Sequence, residues 1–106
     1  MAKLLEQEQG YVDAARGALL EQLPHVGTLA YVAFVVWLPD SDEFLCQIQS
    51  GKDATAYKWV MGRPELARRF PRLKRARAIA DEKEGATVAI LFETDRQFMV
   101  SAIEAD

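Results

Sequence analysis

Thr28-Leu29-Ala30-Tyr31-Val32-Ala33-Phe34-Val35-Val36-Trp37-Leu38 is the stretch on which the fold turns. It is dense in β-branched and aromatic residues and lacks the apolar/polar alternation of a strand with one wet face. Leu29, Tyr31, Ala33, Val35 and Trp37 fall on one side of such a strand, and Ala30, Val32, Phe34, Val36 and Leu38 on the other. Both sides are apolar, which predicts a strand buried on both faces at the centre of a sheet. From Leu29 to Leu38 the run is ten residues, about half of the roughly 20 that span a bilayer, so no membrane span is expected.

Downstream, Pro39-Asp40-Ser41-Asp42 is turn chemistry, and Glu43 to Gln49 alternates with Phe44, Cys46 and Ile48 on one side. A hairpin with the central strand follows. Upstream, Leu5, Val12, Ala15, Leu19 and Leu23 recur at helical spacing within Lys3 to Leu23, with Glu6, Asp13, Arg16 and Glu21 elsewhere on the wheel. This predicts an amphipathic helix that Pro24 and Gly27 end. Asp53 fits the N-cap of a short helix stopping at Gly62, with Ala54, Tyr57, Val60 and Met61 inward. A further helix opens at Pro64 and carries Leu66, Phe70, Leu73, Ala76 and Ala80 inward to about Lys83, with Pro71 kinking it or opening a new one. Ala86 to Glu93 and Gln97 to Glu104, joined by Thr94-Asp95-Arg96, read as a second hairpin.

The expected fold is therefore α+β, a single domain over residues 1–106 in the order α-β-β-α(α)-β-β. It would hold a four-stranded, mainly antiparallel sheet with helices packed on one face. Val32-Ala33-Phe34 and Val88-Ala89-Ile90 open the two hairpins, and Phe44 and Phe98 begin the return strands. That echo fits an αββ duplication and coincidence equally well. A single helix layer leaves the other apolar face bare, which predicts a homodimer. In the monomeric alternative the first helix and the basic helix cover opposite faces.

Half the residues are apolar and 27% are charged, which suits a globular domain and argues against a disordered or fibrous chain. The lone Cys46 cannot close an intrachain disulfide, and the N-terminus turns acidic at Glu6 and Glu8 before any apolar run could serve as a signal. A reducing, cytoplasmic setting is the expectation.

Charge is informative only by segment. Between Lys58 and Arg77 eight cations stand against Glu65 alone, a net of +7, whereas residues 1–57 and 78–106 each carry −5. On one helix, Arg68, Arg69, Arg72, Lys74, Arg75 and Arg77 would lie along about 15 Å, a ridge that could follow phosphates, with Tyr57 and Trp59 upstream to stack on bases. An overall pI near 5.2 opposes strong non-specific binding to nucleic acid. The plainer reading is that arginine stems cover an apolar stripe while their heads pair with the acidic flanks or stay hydrated.

Catalytic patterns are sparse. The sole histidine, His25, is far in sequence from Cys46, and there is no zinc spacing, phosphate loop, dinucleotide fingerprint or nucleophile elbow. Asp40, Asp42 and Glu43 share one turn, but three carboxylates at a hairpin tip fall short of a calcium shell. The sequence thus predicts a non-catalytic binding or regulatory module, homodimeric, contacting an anionic protein partner or nucleic acid through segment 63–77. Its contact residues would be Trp59, Arg63, Arg68, Arg69, Arg72, Lys74, Arg75 and Arg77. Neither metal nor cofactor is expected. Two other classes stay open: a small enzyme or ligand-binding domain with a pocket between helices and sheet, drawing on His25, Cys46 or Glu43, and a structural subunit of a larger assembly.

Overall fold

The computed structural model describes residues 3–23 and 26–103. The chain runs α1 (Glu6–Gln22), β1 (Ala30–Leu38), β2 (Glu43–Ser50), β3 (Thr55–Met61), a 3-10 turn (Pro64–Leu66), α2 (Leu73–Ala80), β4 (Thr87–Glu93) and β5 (Phe98–Ala102). The α+β class holds, but the sheet has five strands, not four. They are ordered β3-β2-β1-β4-β5, every pair antiparallel, with β1 in the middle. Among the described residues no helix is long and apolar enough to cross a membrane. Pro24, His25 and Glu104, each assigned a part in the sequence reading, lie outside the described residues.

The extra strand replaces the short helix expected between Asp53 and Gly62. Asp53 caps nothing; it sits in a tight turn in which Gly51 N–H donates to the Ala54 carbonyl at 2.8 Å. The turn sends Thr55–Met61 back along β2, in register from Ser50 opposite Thr55 to Glu43 opposite Met61. Tyr57, Trp59 and Val60 are as well suited to a strand as to a helix, and β2 would otherwise present an open edge. Pairing with that edge decided the local conformation. Gly62 closes the strand at φ 65, where a side chain would be strained, and donates its N–H to the Asp42 carbonyl at 2.7 Å.

The helix expected from Pro64 to about Lys83, kinked at Pro71 or begun anew there, is also corrected: only the part after Pro71 is an α-helix. The segment resolves into the 3-10 turn, an extended stretch over residues 67–72, and α2. Each proline disfavours helical geometry at the residue before it, so Pro71 holds Phe70 extended and α2 can begin only after it. The extended stretch fills a gap in the sheet. β1 and β2 pair only at Trp37 with Phe44 and Leu38 with Glu43, then separate. Arg68 N–H donates to the Leu45 carbonyl on β2 at 2.7 Å, and Phe70 exchanges two backbone hydrogen bonds with Phe34 on β1, at 3.1 and 2.9 Å.

This segment carries the chain from one side of the sheet to the other. Ala67 packs with Val35, Phe44, Ala89 and Leu91 on one face. Phe70 packs with Phe34, Val36, Leu45 and Ile90 on the opposite face, where Val12 of α1 and Leu73, Ala76 and Ala80 of α2 complete the main core. Both helices therefore share one face, and neither covers the other as the monomeric alternative required. The second face is closed over its centre by the chain's own crossing; Val35 and Phe44 are buried. A half-buried rim of Val32, Trp37, Val60, Phe98 and Val100 surrounds that centre.

Helix α1 follows its expected bounds, but its stripe is only partly used. Val12 is buried, Ala15, Leu19 and Leu20 are half-buried, and Leu5, read as part of the stripe, is 57% exposed.

Candidate functional site

The basic segment does not form one ridge. In the extended stretch neighbouring side chains alternate: the Arg69 guanidinium lies over the Phe98 ring at 5.9 Å on the second face, and that of Arg68 over Phe70 at 5.6 Å. Arg63 precedes the 3-10 turn and pairs with Glu65 at 3.1 Å. Trp59 lies on β3, half-buried against the main core, not on a helix. Tyr57 is half-buried on the same strand and its hydroxyl donates to the Glu82 carboxylate, which raises its pKa. The aromatic pair is thus engaged within the fold.

Arg72, the N-cap residue of α2, turns inward. One nitrogen donates to the Glu8 carboxylate at 3.0 Å and to the Lys3 carbonyl at 2.9 Å. Glu8 is 3% exposed and also accepts the backbone N–H groups of Leu5 and Leu73, each at 2.8 Å. Burial pushes its pKa upward, but the two backbone donors and Arg72 outweigh that and hold the carboxyl below its ordinary range. Nearby, burial and the Glu8 charge push the Tyr31 phenol up to about 12. Sequence reading missed Glu8 because the usual capping-box signature has Ser or Thr three residues before the acid, and here that position is Leu5.

What α2 leaves outward is Lys74 and Arg75, both exposed, with Ala78 one turn on. Arg77 is half-buried, its guanidinium over the Tyr11 ring at 5.4 Å. Between the start of α1 and this flank of α2 runs an open groove of about 840 Å³. Leu5 and Ala78 supply its exposed apolar surface over the buried Leu73; Lys74 and Arg75 are its exposed cations, beside the inward-turned Arg72 and the half-buried Arg77, and Asp81 also lines it. Among the described residues only Arg63 and Arg72 of the basic segment pair with carboxylates.

The other candidates are placed as follows. Cys46 is half-buried at a bulge in β2, its thiol donating to the Lys58 carbonyl at 3.3 Å. Asp42 accepts the Trp37 indole N–H at 3.1 Å, so one of the three hairpin-tip carboxylates is engaged structurally. Among the described residues no group of three or more His, Cys, Asp or Glu is placed to hold a metal ion. The chain matches no protein-family profile, no curated protein and no solved structure.

Proposed function

We propose that this domain is a non-catalytic binding or regulatory module that engages an acidic protein partner through the outward cations of the crossing and α2, Arg68, Lys74 and Arg75. The observation that carries this reading is the uncompensated charge: eight cations lie between Lys58 and Arg77, yet among the described residues only Arg63 and Arg72 meet carboxylates. Cations without carboxylate partners attract and orient an anionic one. A protein partner fits better than nucleic acid. Tyr57 and Trp59, the residues that would stack on bases, are half-buried within the fold, and the cations follow a bent path instead of one ridge. The reading extends to a homodimer across the second sheet face, supported by its half-buried apolar rim and by Leu66, 49% exposed. The unpaired Cys46 thiol suits a reducing cytoplasm.

The test is a fluorescence titration with acidic peptides and, in parallel, single-stranded oligonucleotides, across low to moderate salt. Acidic peptides bind with salt-dependent affinity, and the double variant Lys74→Glu/Arg75→Glu loses at least tenfold. Binding indifferent to that reversal ends the proposal, and tighter oligonucleotide binding reassigns the surface to nucleic acid.

A further inference from the structure

We infer that the groove between the start of α1 and α2 selects an acidic segment presenting a bulky apolar side chain, not acidity alone; this rests on the proposed acidic-partner reading. Leu5 is 57% exposed, although a leucine at the start of an amphipathic helix ordinarily turns toward the core. Here the Glu8 carboxylate holds the Leu5 backbone N–H at 2.8 Å and the Leu73 N–H at the same distance. That staple fixes Leu5 at the lip of the groove, beside Leu73 and Ala78. The exposed leucine is thus held in place by a buried, hydrogen-bonded carboxylate.

Charge sets the orientation of the occupant. Lys74 and Arg75 lie at the N-terminal end of α2 and Asp81 just beyond its C-terminal end. Leu73–Ala80 is eight residues, about 12 Å of helix, so the two ends are far enough apart for opposite preferences. Acidic side chains lie over Lys74 and Arg75, and the apolar anchor sits on Leu5 and Ala78. The volume of about 840 Å³ accommodates a few side chains, the scale of an anchor residue and its neighbours.

The experiment uses short fluorescein-labelled peptides of equal acidic charge whose central pair is Leu-Leu or Ser-Ser, titrated by polarisation against the full chain and against Leu5→Ser and Lys74→Glu/Arg75→Glu. The Leu-Leu peptide binds about fivefold to tenfold tighter than Ser-Ser, as expected for partial burial of apolar surface. Leu5→Ser erases that ratio while leaving Ser-Ser binding intact, and the charge reversal weakens both peptides. Because Leu5 is exposed and serine is a favourable residue at the N-cap it occupies, the variant does not lower the unfolding midpoint, measured alongside. Equal affinity for the two peptides, or an undiminished ratio in Leu5→Ser, overturns the inference and leaves the acidic-partner reading standing. Absence of binding by either peptide at low salt overturns both.

Discussion

The Glu8 carboxylate accepts the backbone N–H of Leu73 at 2.8 Å across 65 positions of chain, so one buried acid serves the first turns of both helices. One oxygen takes Leu5 N–H and Arg72, the other takes Leu73 N–H, which an eight-residue helix would otherwise leave without an acceptor. Glu8→Ala strands those donors and costs about 3 kcal/mol, whereas Glu8→Gln, which keeps an acceptor oxygen, costs about 1–2 kcal/mol. Urea unfolding resolves the two. Equal losses would mean that the shape and single acceptor oxygen kept by Gln contribute nothing, and that the stabilisation resides in the charged, two-oxygen carboxylate.

The same carboxyl sets an acid limit. Its pKa is lowered in the folded chain from an ordinary 4.5, so on acidification the unfolded state takes up the proton first. The stability it contributes is fully present above about pH 4.5 and disappears as pH falls through the lower folded-state value. Thermal midpoints should stay level from neutral pH to about 5 and then fall, with a shallower decline in Glu8→Gln. Glu65 is lowered as well, but it is exposed and contributes little to this slope.

The central strand and both hairpins were legible because Ala30–Leu38 and Thr87–Glu93 are apolar on both sides and rich in β-branched and aromatic residues between turn-forming stretches, the pattern of a strand buried on both faces. β3 was not. Tyr57, Trp59 and Val60 suit helix and strand alike, and what chose between them, the open edge of β2, is non-local. The crossing was half-legible: Pro64 and Pro71 were visible as breaks, but the parting of β1 from β2 that admits residues 68–70 has no local signal. The basic residues were found from charge alone. Their separation onto two sides of the sheet follows from the extended conformation between the prolines, and Glu8 was hidden because two of its three partners, the Arg72 guanidinium and the Leu73 N–H, lie more than sixty positions away.

Phe70 plugs the parted strands, 1% exposed, with its backbone tied to Phe34. Phe70→Ala removes the ring that seals the crossing and costs about 3–5 kcal/mol by calorimetry or urea. Pro71→Ala touches no core contact and loses about 0.5–1 kcal/mol by loosening the unfolded chain. A Phe70→Ala loss below about 1 kcal/mol would show that the gap closes without it.

The proposed self-association across the second face predicts a part for Leu66, which stands 49% exposed on the 3-10 turn that packs against β2 and β5. Leu66→Asp places a charge there and should convert a dimeric light-scattering mass into that of one chain. The folded monomer should be no less stable, since an exposed side chain contributes little to the core. A parent protein already of single-chain mass at micromolar concentration would remove the dimer.

The two faces of the sheet separate two arginines of the basic segment, six positions apart. Arg69 lies over Phe98 on the second face, whereas Arg75 projects from α2 on the face that also holds α1 and the groove. A single reversal Arg75→Glu should weaken acidic-peptide binding about tenfold, the scale of a close charge pair at a partly desolvated surface. Arg69→Glu should change it less than about twofold, because the sheet stands between that side chain and the groove and exposed charges beyond about 10 Å are screened. The comparison holds net charge constant between the two variants, so a general attraction to the segment predicts equal losses and a located surface predicts unequal ones. Equal losses would return the eight cations to a diffuse field with no preferred face.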